Sequence, residues 1–269
     1  MRRRFLKSQT SLSYMTIEAL EYTIVYLPGK IEYSFNGGNT WEEGGGGLAL
    51  YLQKGAMVSF RNMEYREQNS HSFDIRGSCN LVGNCMSLIP DGKLYKFAFN
   101  DLFENCDGII SVSEGFLPAT TLADLCYSGM FAGCTSLINA PALPATTLAS
   151  NCYSNMFYGC TSLVNAPELP ATTLAYYCYG SMFYGCTSLV NAPELPASTL
   201  VDACYSSMFN RCTKLNYIKM LATDISATQC LSRWVYRVAS SGTFVKNKNA
   251  TWNVTGVSGV PSGWTIQKV

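Results

Sequence analysis

Two carboxylates, Glu168 and Glu194, stand in identical surroundings, VNAPELPA, in consecutive copies of one repeat. Paired acids are the machinery of glycoside hydrolysis, where one protonates the leaving group and the other acts as base or nucleophile. This pair arises by duplication and is placed at a solvated edge, so no catalysis is expected from it. His71 is the sole histidine. It reads as a surface or turn residue, and Ser-His-Asp or Cys-His sets have no second histidine to draw on. The chain holds twelve cysteines, but no basic or histidine neighbour at their repeated positions would lower a thiol pKa. No CxxC pair exists, which argues against a zinc centre. Gly44–Gly47 lacks the strand-helix context and the lysine of a phosphate loop. The expectation is a protein without enzymatic chemistry, cofactor or metal.

Composition narrows the partners. The formal net charge is +1 and charged residues make up 14% of the 269-residue chain. Nucleic acid as main partner would need a dense basic face. No apolar run approaches the ~20 residues of a membrane span. The start, MRRRFLKSQTSLSYM, is basic but has no apolar segment behind it, so no secretory signal peptide is expected.

The elements that would position any site come from an internal repeat. Leu143–Glu168 recurs as Leu117–Ala142, as Leu169–Glu194 and, more loosely, as Leu195–Met220. The copies follow one another without insertion, and a period of about this size marks stacked repeats, each burying its apolar face against its neighbours. A fifth, eroded copy starts at Leu221 and keeps Cys230 in register. An earlier rung ends at NCMSLI (84–89) and continues through Leu94, Ala98, Leu102, Phe103, Cys106 and Ile109. Nine cysteines fall in two columns: Cys126, Cys152, Cys178, Cys204 and Cys230, and Cys134, Cys160, Cys186 and Cys212. They read as small buried hydrophobes. Neighbouring rungs could also bring equivalent cysteines within bridging distance, which leaves disulfide rungs open.

Within each copy, Ala-Thr-Thr after proline predicts a capped helix start, and the glycine of YGC (Gly159, Gly185) predicts its end. TSLVNAP then reads as a short parallel strand. On a helical wheel, the near-invariant Leu148, Ala149, Cys152, Tyr153, Met156 and Phe157 share one half of the circumference. The variable Ser150, Asn151, Ser154, Asn155 and Tyr158 fall on the other half, as an amphipathic helix requires. Tyr158, Tyr176, Tyr177, Tyr184 and Tyr236 take outward positions in this register. Tyrosine among small polar residues is the chemistry of adaptable recognition surfaces. Tyr158, Tyr176, Tyr177 and Tyr184 are therefore the candidate binding residues. The Asn139, Asn165 and Asn191 column reads as a structural amide ladder.

The expected fold is an α/β solenoid of about seven strand-helix rungs over residues 79–246. Residues 16–78 precede it as a small antiparallel β module, and residues 247–269 follow as a β cap. SFNGGNTW (Ser34–Trp41) in that module resembles the Asp-box hairpin of sialidase-like propellers, with Asn36 in place of aspartate. Residues 1–15 form a basic tail whose Arg2, Arg3, Arg4 and Lys7 suit docking into a partner or a second copy through bidentate bonds to carboxylates.

MFYGCTSL, MFAGCTSL and SMFNRCTKL, each followed by a strand and a proline, resemble the BspA-like leucine-rich repeat, whose rung runs roughly AFxGCxSL. The resemblance covers residues 79–246. It implies a right-handed leucine-rich-repeat stack and a surface binding protein of anaerobic gut or oral bacteria, contacting matrix proteins or other cells. Two departures stand out: the period is longer than the family's usual one, and members normally carry an export signal. The expected partner is a glycan or protein on a host or neighbouring cell. The setting would be extracellular, or a phage or tail-like particle that lysis releases. An intracellular scaffold or inhibitor is the alternative.

Overall fold

The computed structural model describes residues 13–64 and 72–269. The tail residues Arg2, Arg3, Arg4 and Lys7, and His71, lie outside these. In the first part, β-branched and aromatic residues alternate with polar ones and form strands. These are β1 (Met15–Ala19), β2 (Thr23–Tyr26), β3 (Ile31–Ser34), β4 (Glu42–Gly44), β5 (Ala49–Leu52), β6 (Met57–Arg61), β7 (Asp74–Arg76) and β8 (Cys79–Val82). They divide between two sheets. One has the order β5-β2-β7, and the other places β4-β3-β6-β1-β8 in line and ends on β9 (Ile109–Val112). The stretch expected to pair β5 with β6 instead sends β5 to β2 and β6 to β1 and β3. The NGGN turn between β3 and β4 does form, with Gly37 and Gly38 at φ of 69° and 91°. The Asn36 side chain ties it, accepting from the Ser34 hydroxyl at 2.8 Å and the Thr40 amide at 3.0 Å.

The repeats stack, but not as strand-helix rungs. Among the described residues the only helical pieces are two 3-10 turns, Cys85–Leu88 and Glu114–Phe116. The α/β solenoid and the right-handed leucine-rich-repeat stack are therefore overturned; the chain is nearly all β and turn. Where each helix was expected, the backbone makes consecutive tight turns. In the rung of Leu143–Glu168, the amides of Cys152, Ser154, Met156, Tyr158 and Cys160 donate to carbonyls three residues back at 2.9–3.3 Å. The intervening amides of Asn151, Tyr153, Asn155, Phe157 and Gly159 donate instead to the next rung, at 2.7–3.0 Å. Half the amides thus bond along the stack, which an α-helix cannot do because it satisfies them internally.

Geometry explains why. Side-by-side helices need about 8–10 Å between axes, whereas paired strands advance ~4.8 Å per step. Here the turn side advances at nearly the strand step. Phe103, Phe131, Phe157, Phe183 and Phe209 stack in one column with centroids 5.7–5.9 Å apart. Tyr127, Tyr153, Tyr179 and Tyr205 stack in another at 5.8–6.0 Å. The turns require a left-handed residue at every fourth place, at Asn151 (φ 56°), Asn155 (55°) and Gly159 (71°) in this rung. Gly159 and Gly185, expected as helix ends, are the last of these turn points. Left-handed backbone costs ~1–2 kcal/mol for an ordinary residue, and less for asparagine. Burying a large apolar side chain stabilises by ~1.5–3 kcal/mol. Each rung buries Cys, Tyr, Met, Phe, Cys and Leu together, so packing wins.

The opposite side of the rungs carries the ladder. Ser111, Asn139, Asn165, Asn191 and Tyr217 are joined by single parallel bridges, so TSLVNAP contributes a bridge rather than a strand. The threonines expected as helix caps likewise pair across rungs, Thr121 with Thr147. This ladder runs from β9 to β10 (Tyr217–Met220), which continues in parallel to β11 (Thr243–Lys246) and β12 (Thr265–Lys268). Trp234 ends the phenylalanine column, 6.0 Å from Phe209, and its Nε1 donates to the Gly259 carbonyl at 2.9 Å. The C-terminal segment expected to hold two strands forms β12 and one bridge, Thr255 to Val260.

All twelve cysteines are buried and free, so no disulfide rungs form. The Cys160, Cys186 and Cys212 thiols donate to the carbonyls of Phe131, Phe157 and Phe183 in the preceding rung, at 2.9–3.1 Å. That column therefore holds a small residue that is also a donor. Burial pushes the Cys152 and Cys178 thiols up to about 12, which makes them poor nucleophiles.

Candidate recognition surface

The four candidate tyrosines stand on the turn side, but as two separate pairs. Tyr158 and Tyr184 hold equivalent places in adjacent rungs. Each is brought there by the turn preceding a left-handed glycine, Gly159 or Gly185. Their rings stack with centroids 4.6 Å apart and planes 8° from parallel. The Arg211 guanidinium lies 5.7 Å from the Tyr184 ring centre. Tyr158 stays 42% exposed, so the stack presents an edge to solvent.

Tyr176 and Tyr177 sit at the start of the turn run, with rings tilted and 6.2 Å apart. Tyr176 is 56% exposed. Tyr177 turns back over its own rung. A Cβ at Gly180 would meet the Tyr177 ring, and the Tyr177 hydroxyl lies 3.3 Å from Ser181 Oγ. The equivalent places in neighbouring copies, Ser154 and Ser206, carry side chains; Gly180 makes room for the ring. No ring contact joins this pair to Tyr158 and Tyr184. The outward helix face expected to unite all four does not exist. Ser154, expected outward, is buried, and its hydroxyl lies 3.0 Å from that of Ser128.

Three residues outside that set complete the surface. Arg233 and Arg237 place their guanidinium carbons 4.9 and 5.2 Å from the Tyr236 ring centre. With Arg211 they are exposed, and none has a carboxylate partner among the described residues. Between Tyr184 and Tyr236 in the same column, Asn210 is buried, and its Oδ1 has no hydrogen-bond partner. The signal for the arginines was present in the repeat comparison. Arg211 and Arg237 replace the glycine of YGC.

Other sites weighed from sequence are weaker. Glu168 and Glu194 line a shallow cavity of about 370 Å³ with Leu169, Pro170 and Pro196. Glu194 is bound to Lys219 at 2.9 Å. Nothing around the pair offers a partner for general acid-base work. The Asn139, Asn165 and Asn191 column pairs through its backbone and leaves its side chains exposed. Among the described residues, no group of three His, Cys, Asp or Glu could hold a metal ion. Likewise no helix is long and apolar enough to cross a membrane.

No family model, no curated protein and no solved structure matches this chain. Its site has to be read from its own geometry.

Proposed function

We propose that this chain is a non-enzymatic binding protein that holds a cell-surface glycan or protein against the turn side of its repeat stack. One observation carries the reading: the exposed Tyr158–Tyr184 stack with Arg211 against it. Tyrosine and arginine dominate binding energetics because they offer large contact area and hydrogen bonds at low entropy cost. Rigid repeats hold such side chains in place before a partner arrives. The likeness of MFYGCTSL to the BspA-like repeat supports a surface partner as well. A screen of the purified protein against glycan and cell-surface protein arrays tests this reading. The expected result is a hit that weakens roughly tenfold or more in a Tyr158→Ser, Tyr184→Ser variant. Equal binding by that variant, or no hit from the parent, would overturn the proposal.

A further inference from the structure

We infer that Arg211, Arg233 and Arg237, with Tyr184 and Tyr236, form an anion-binding ridge for a linear carboxylated polysaccharide, a polyuronate. This deepens the reading above and rests on it.

Three observations converge. First, the ridge concentrates positive charge without neutralising it. Two guanidinium groups share the Tyr236 ring and a third lies against Tyr184. No carboxylate of the described residues pairs with any of them. An arginine lying on a tyrosine face keeps its N–H edge free, and that fork matches a carboxylate in bidentate fashion.

Second, these arginines occupy backbone that disfavours them. Arg211, Arg233 and Arg237 have φ of 64°, 50° and 62°. Equivalent places in the other copies hold Gly133, Gly159 and Gly185 in one column, and Gly129, Asn155, Ser181 and Ser207 in the other. Where most copies use a residue suited to left-handed backbone, the last two rungs use arginine against that preference. A conformational outlier of this kind points toward function rather than packing, because all three side chains are exposed.

Third, the charges are set out along the stack axis. Arg211 and Arg237 hold equivalent positions in adjacent rungs, and the Arg211 amide donates directly to the Tyr236 carbonyl at 2.7 Å. Their backbones are therefore one rung step apart, ~4.8 Å on the strand side. A polyuronate carries one carboxylate on every sugar, a repeat on the scale of one rung. An extended acidic peptide puts successive side chains on opposite faces, so same-side carboxylates recur only every ~6.6 Å. The register favours the polysaccharide.

The test uses Arg211→Gly, Arg237→Gly in the full chain. It restores the residue that three other copies carry at this place, so the fold is expected to be kept. Titration calorimetry with polygalacturonate at low salt is expected to show binding by the parent, weakening as salt is added. The glycine variant is expected to bind at least roughly tenfold more weakly, with an unchanged or higher unfolding midpoint. The inference is overturned if the parent ignores polygalacturonate, if the variant binds it equally well, or if polyglutamate or dextran sulfate binds as tightly. A parent that ignores polygalacturonate yet scores on a neutral glycan or a protein would sink the polyuronate ridge. It would leave the broader binding role standing.

Discussion

The ring of Tyr158 lies flat on that of Tyr184, with centroids 4.6 Å apart and planes 8° from parallel. It is the shortest ring-to-ring contact among the described residues, and it joins side chains from adjacent rungs at the protein surface. Aromatic pairs of this kind contribute ~0.5–1.5 kcal/mol beyond the area they bury. A double-mutant cycle on Tyr158→Ala and Tyr184→Ala, read by urea unfolding, is expected to return a coupling in that range. A coupling near zero would mean the rings meet without cooperating.

Asn155 separates a turn-built rung from a helical one. At φ 55° its backbone is left-handed, where glycine is at ease and alanine is strained. Asn155→Ala is therefore expected to destabilise by ~1 kcal/mol, while Asn155→Gly is neutral or slightly stabilising. In an α-helix the order reverses, because alanine exceeds glycine by ~1 kcal/mol in helix propensity. Chemical denaturation of the two variants side by side decides between the architectures.

Glu32 makes the β module acid-sensitive. The Asn62 side-chain amide donates to it at 2.8 Å and Arg61 binds it through two nitrogens at 2.7 and 2.8 Å. These contacts hold its carboxyl below the ordinary value, the Asn62 hydrogen bond most of all, then Arg61. A carboxyl that is more acidic folded than unfolded stabilises fully above its unfolded pKa, ~4.3. That contribution is lost as pH falls through the lower folded value. Glu32→Gln is thus expected to cost stability at neutral pH, with the gap to the parent closing below about pH 4. A gap that stays constant down the titration would remove Glu32 from the account.

Much of this architecture was legible in the sequence, and the part that was not has a physical cause. The copies showed the period, the two cysteine columns and the burial of Tyr153, Met156 and Phe157, all of which are in the core. They did not separate a helix from a turn spiral, because a helical period and a period of four sort one short run of residues into nearly the same two faces. Two signals favoured the spiral. Cys152, Met156 and Cys160 recur at every fourth place, as do Asn151, Asn155 and Gly159, the residue types that tolerate positive φ. Gly129 and Gly180, inside the expected helices, were a second warning. At the surface, attention to tyrosine found Tyr158 and Tyr184 but passed over Arg211, Arg233 and Arg237. Their meaning emerges only once the glycine column they interrupt is known to be left-handed.

The alternating amides have one more consequence. Because every second N–H of a rung reaches the next, the interface above each copy is the same as the interface below it. Gene duplication can then add or delete one whole copy without inventing a contact, provided the β module and the tryptophan-closed end stay in place. The stack behaves as a ruler whose length is heritable, with its charged marks confined to the final two divisions.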